Sequence, residues 1–274
     1  MNAACAILPL AVIAFFTRDD GLSHGLVSPI DAPNEFQSAT AEFEQGQRLL
    51  AGQPDRAREL FRSSAQRFAR LLQSGIRSGP LEYNAGNAFL QAGDVGRAIL
   101  HYRRAQRLRP RDEMRADNLG EAKRRCITNL APKRSDAVLR SLFFWHHETS
   151  TRERLTAAVI LYVGFWLCLT VRGLVPRRGF KLAAVICALA TLTLGSSLLA
   201  ERWADRTQPA GVMIETDVAV YKGPGTGYQR QFEQPLQPGV EFRRREQRAG
   251  WWNIVLPDGQ SGWIDASTAE LVPV

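Results

Sequence analysis

The sequence predicts a multidomain chain: an all-α array of helical hairpins, then a transmembrane helical hairpin, then a small all-β barrel. Three observations carry that expectation. Apolar residues recur at helical spacing from Asn34 to about Ile127. Two long apolar runs, Leu155–Val171 and Leu182–Ala200, approach the ~20 residues that a membrane helix needs. From Gly211 to Val274 the period shortens to two, and turn residues punctuate every few positions. A chain of 274 residues divided in this way has room for two modest folded domains, and not for one large enzyme core.

The chain opens on a short apolar run, Ala3–Phe16, within residues 1–17. It is short for a spanning helix and matches the apolar core of an export signal, with an uncleaved anchor as the alternative because no basic residues precede it. Residues 18–33 are a linker containing Gly, Ser, Pro and Asp, without periodicity. The helical domain follows over 34–130. Phe43, Leu49 and Leu50 form one apolar stripe, which Ala57, Leu60, Phe61, Phe68 and Leu71 continue. Breaks at Gly52–Asp55, Gly75–Pro80, Gly93–Asp94 and Pro110–Asp112 divide it into helices joined by short turns.

The unit Leu81–Pro110 shows why these helices should pair. Gly86 and Ala98 are close-approach points, and Phe89 and Tyr102 fill the space beside them. Gly93 ends the first helix, Asp94 caps the second, and Pro110 closes the unit. Gly93, Ala98, Tyr102 and Ala105 are matched upstream by Gly52, Ala57, Phe61 and Ser64 with the same gaps, and Asn118–Leu119–Gly120 repeats Asn84–Ala85–Gly86 after 34 residues. This pattern resembles the tetratricopeptide repeat: one copy over 81–110, one over 41–72, and a first helix over 113–127. The resemblance implies a peptide-binding groove, because asparagines on the first helix of each hairpin hold a ligand's backbone or carboxylate in that family. Asn84, Asn87 and Asn118 are the partner-binding candidates. Arg97, Arg103, Arg104 and Arg107, on a second helix, are expected to face outward.

Residues 131–154 form a polar juxtamembrane link, with an amphipathic patch from Leu139 to Trp145 beside His146 and His147. The predicted spans 155–171 and 182–200 are separated by the loop 172–181, which holds Arg172, Arg177, Arg178 and Lys181 and no acid. Short basic loops stay in the cytoplasm, so both folded domains are expected on the external side of a bacterial inner membrane, the side an export signal also requires. No charge lies mid-span to suggest an ion pathway.

The C-terminal segment 211–274 reads as strands at Val212–Ile214, Val218–Val220, Gly239–Arg243, Trp252–Leu256 and Trp263–Ile264. Its GWWNIVLPDGQSGWI run (Gly250–Ile264), with YKGPGTGY and Leu236-x-x-Gly239-Val240, resembles a bacterial SH3-like (SH3b) domain. Where that family carries Asn-Val-Arg before the Gly-Pro, this chain has Ala219–Val220–Tyr221. Alternation puts Ile254 and Leu256 in the core and leaves Tyr221, Tyr228 and Trp251 as a candidate ligand face.

The residues exclude more than they assign. The net charge is +8, yet residues 211–274 hold 6 Lys/Arg against 8 Asp/Glu; the basic excess lies upstream, with no aromatic-basic platform for nucleic acid. The four cysteines form no disulfide framework or metal-ligand spacing. No catalytic constellation, cofactor motif or metal signature is present, and the glycine-rich 223–227 run precedes a strand, where it makes a turn and not a phosphate cradle. The order of parts resembles the BatE proteins of bacterial aerotolerance operons. That resemblance implies a scaffold or adaptor in envelope or oxidative stress tolerance, beside von Willebrand A-domain partners and other repeat proteins. The alternative is a peptidoglycan-binding or sensing protein that uses the barrel; a weaker reading is an assembly chaperone for cytochromes or secretion.

Overall fold

A computed structural model describes residues 32–108, 113–126, 151–175 and 177–272. The N-terminal run, most of the 18–33 linker and the patch at 139–147 lie outside the described residues. Five helices come first: α1 (Ala32–Leu49), α2 (Pro54–Gln73), α3 (Gly79–Ala92), α4 (Val95–Leu108) and α5 (Glu113–Arg125). Their ends fall at the glycine, proline and aspartate breaks, although α1 starts two residues before the expected boundary.

The helices pack antiparallel in sequence order, and a glycine under an aromatic ring marks each of the first two pairs. In α1–α2, Gly46 lies against Phe61, where a Cβ would come within 2.9 Å of the ring. Phe43 meets the same ring at a tilt of 60°, with centroids 5.2 Å apart. In α3–α4, a Cβ on Gly86 would come within 2.7 Å of Tyr102, a ring only 1% exposed. The α3–α4 turn is a Schellman cap. Gly93 takes φ +87°, its N–H donates to Leu90 O, and the Asp94 N–H donates to Phe89 O. Asp94 Oδ1 then accepts from the Arg97 N–H at 3.0 Å and starts α4. Tyr102 is held by its neighbours and cannot swing aside, so Gly86→Ala is expected to destabilise the chain by about 1–3 kcal/mol. Chemical denaturation of the full chain in detergent would measure this; an unchanged midpoint would show that the helix pair can spread.

Two long helices follow, α6 (Thr151–Leu174) and α7 (Arg178–Thr207), with mean hydropathy of 1.8 and 2.1 over their apolar stretches. They extend past the expected spans at both ends, leaving a shorter connection than predicted. Both are long and apolar enough to cross a membrane. Ile160, Leu167, Leu182, Leu189, Leu192 and Leu199 are each at least 60% exposed, so the pair offers its apolar surface outward. Between them, Gly164 approaches Cys187, and the guanidinium of Arg154, 3% exposed, pairs with Glu201 and donates to Ser197 at 3.0 Å. A charge so buried is retained only because both partners meet it.

The C-terminal sheet is antiparallel, with strands β1 (Ala210–Met213), β2 (Glu241–Arg248), β3 (Trp251–Val255), β4 (Ser261–Asp265) and β5 (Ala269–Leu271) in the order β4-β3-β2-β1-β5. Met213, Val220, Val240, Phe242, Ile254 and Ile264 form its core. Three details differ from expectation. Val218 and Tyr221 make isolated bridges and no continuous strand. The polar β2 runs on to Arg248, because pairing with β3 across a bulge near Arg245 outweighs its lack of alternation. β5 was not expected. It is three residues long and pairs with β1 after a 3-10 turn capped by Asp265.

The barrel docks on the helices, which corrects the outward placement of the arginines. Val212 and Val272 enter the helical core beside Ile99 and Leu100. A Cβ on Gly96 would fall 2.6 Å from the backbone oxygen of Met213, so strand and helix meet backbone to backbone there. The turn Pro238–Gly239 sits against Ile99 and Cys126, whose thiol donates to Pro238 O at 3.3 Å. Arg103 grips Glu241 with two nitrogens, and Lys123 Nζ reaches the same carboxylate at 2.7 Å. Arg104 pairs with Glu270 at 3.1 Å, Arg107 with Asp205 at 2.9 Å, and Arg97 lies 3.7 Å from Glu215. The barrel is thus seated on α4, with the end of α5 touching it at Lys123 and Cys126.

Candidate functional site

Two sets of residues were expected to bind, and the fold treats them differently. On the helical side, Asn87 and Asn118 are brought together from α3 and α5. The Asn118 amide donates to Asn87 Oδ1 at 2.9 Å and to the Tyr83 hydroxyl at 2.7 Å, and the Tyr102 hydroxyl donates to Asn87 Oδ1 at 2.7 Å. Burial pushes the Tyr102 hydroxyl well above its ordinary range, so it stays a donor. This cluster ties three helices together by hydrogen bonds. Asn84, half-buried and three residues before Asn87 on α3, is not part of it.

On the barrel, register gathers one face. Residues directly opposite across antiparallel strands share a face. One row runs Arg248–Trp251–Asp265 and the next Glu246–Asn253–Trp263, with Tyr221 bridged to Trp263. Tyr221 meets Trp251 edge to face, with centroids 5.6 Å apart. The Arg248 guanidinium lies 5.9 Å from the Trp263 ring, within cation–π range. Bonds from the Ser267 hydroxyl and N–H hold the Asp265 carboxyl below the usual carboxylate range. The face therefore presents two half-buried rings, Tyr221 and Trp251, between a cation and an anion, with Trp263, 8% exposed, beneath them. Tyr228, 54% exposed, leans over Gly223 in the adjoining loop.

Of the candidates, Tyr221 and Trp251 are in direct contact. Trp263, Arg248 and Asp265 belong to the same face and were missed. Trp263 lies in the predicted strand Trp263–Ile264, and the β3–β4 register, which sets it opposite Asn253, is what brings it to this face. Glu241, Gly96 and Gly239, which join barrel to helices, carried no local signal, because their partners lie far away in the chain.

The five-stranded antiparallel sheet has the size and pairing of a small all-β module. Residues 215–269 match the family model of the bacterial SH3 domain, and that stretch of the chain is one. The match omits β1, although β1 lies between β2 and β5 in the sheet. A comparison of the chain with curated proteins found no match.

Proposed function

We propose that this chain is a non-enzymatic, membrane-held recognition protein whose bacterial SH3 barrel binds peptidoglycan through the face that carries Tyr221 and Trp251. The observation that carries this reading is that face itself: aromatic rings flanked by Arg248 and Asp265 suit a ligand of sugar and charged peptide. The helices serve as a rigid mount, since Arg103 and Arg104 are occupied with the barrel, Arg107 with α7, and Asn87 and Asn118 with each other. The paired apolar helices α6 and α7 hold the module at a bacterial inner membrane, and a bacterial SH3 domain suits the extracytoplasmic side.

Full-length protein in detergent should be retained on purified peptidoglycan. Trp251→Ala should weaken retention by about thirtyfold, the ~2 kcal/mol of an aromatic anchor. Equal retention of both forms would sink the reading.

A second reading is a scaffold that binds exported or membrane proteins through tetratricopeptide-like hairpins, in a Bat-type aerotolerance or envelope-stress assembly. The Gly46–Phe61 and Gly86–Tyr102 pairs support repeats, and Asn84 remains a candidate for partner contact. Capture of a von Willebrand A-domain membrane protein that depends on Asn84, with no retention on peptidoglycan, would favour it.

A further inference from the structure

We propose that the outer end of α7 carries a headgroup-binding stripe for anionic phospholipid, formed by Leu199, Trp203 and Arg206. The proposal rests on the membrane-spanning reading of α6 and α7. Leu192, Leu199, Trp203 and Arg206 follow one another at seven, four and three residues and so share one side of the helix. Leu192, Leu199 and Trp203 are 69%, 66% and 71% exposed, and Arg206 is exposed beyond them. With a rise of about 1.5 Å per residue, Trp203 stands ~6 Å and Arg206 ~10 Å past Leu199. That is the order of a lipid leaflet: acyl chain, interface, phosphate.

The charges of this turn are sorted by side. Glu201 and Asp205, four residues apart, both turn inward: Glu201 to Arg154 and Asp205 to Arg107, with the Asp205 side chain 8% exposed. Arg206, one residue beyond Asp205, is exposed. What the helix shows outward is therefore an indole and the Arg206 guanidinium, with the acids neutralised inside the molecule. The depth is fixed as well. The Arg107–Asp205 pair and the bond from Arg243 to Gln208 O at 3.3 Å tie the helix end to both folded parts. Binding lipid phosphate here would set the height and tilt of the barrel above the bilayer.

The test uses the full chain in vesicles of phosphatidylcholine alone and of phosphatidylcholine mixed with phosphatidylglycerol. Flotation reports insertion, and mass spectrometry of lipid retained after extraction reports the preference for phosphatidylglycerol. Wild type should float with both vesicle types and retain phosphatidylglycerol in excess. Arg206→Gln should reduce that excess by about fivefold, and Arg206→Lys should keep most of it. A glutamine variant with the wild-type lipid ratio would overturn the stripe and leave the spans standing. A chain that floats with neither vesicle type would overturn the spanning reading and the stripe with it.

Discussion

Replacing Glu241 with alanine is expected to destabilise the protein by about 3 kcal/mol at neutral pH and to loosen the barrel from the helices. Burial alone would raise this carboxyl from its ordinary 4.5, but Arg103 and Lys123 outweigh burial and hold it at about 2. The folded-state value is depressed, so the stabilisation is complete above the unfolded value of 4.5 and is lost as pH falls toward 2. The gap between wild type and Glu241→Ala should therefore be widest at neutral pH, narrow below about pH 4.5 and close near pH 2. Urea unfolding of the full chain in detergent across that range would measure it. A gap that does not change with pH would mean that Glu241 acts by packing and not by charge.

Gly96→Val should act on the same junction from the other side, by about 3 kcal/mol, the upper end of the cost of overpacking. The atom in the way is the backbone oxygen of Met213, with Ile214 Cα behind it, so no side-chain rotation relieves the clash. The helix or the strand must move. Separation would uncover Cys126, whose thiol sits against the Pro238–Gly239 turn. In a background of Cys5→Ser, Cys168→Ser and Cys187→Ser, a charged maleimide should label Cys126 faster in the valine variant, together with a lower unfolding midpoint. Unchanged labelling and midpoint would show that the barrel is not seated on α4.

The two predictions concern residues that nothing in their local sequence marks. Glu241 reads as one of several charges on a polar strand, and Gly96 as a tolerated glycine early in a helix. Their roles depend on partners more than a hundred residues away. Gly86 and Gly93 are different, because each acts on atoms within one hairpin. Their spacing to Tyr102 and Asp94 already implies the close approach and the cap. The same distinction separates the two halves of the aromatic face: Trp251 and Tyr221 were evident from composition and turn context, while Arg248 and Asp265 join it only through strand register.

Residue order was enough for the helix boundaries, the glycine–aromatic pairing, the two apolar helices and the change to a β barrel. These follow from short-range periodicity, capping and turn chemistry, which operate within a few residues. Folding in three dimensions decided that the barrel docks on α4, that the arginines of α4 reach Glu241, Glu270 and Asp205, and that Asn87 and Asn118 bind each other. Those outcomes depend on which distant surfaces meet, and a linear pattern of charges and apolar residues is compatible with many such meetings until backbone contact at Gly96 and the shared carboxylate of Glu241 select one.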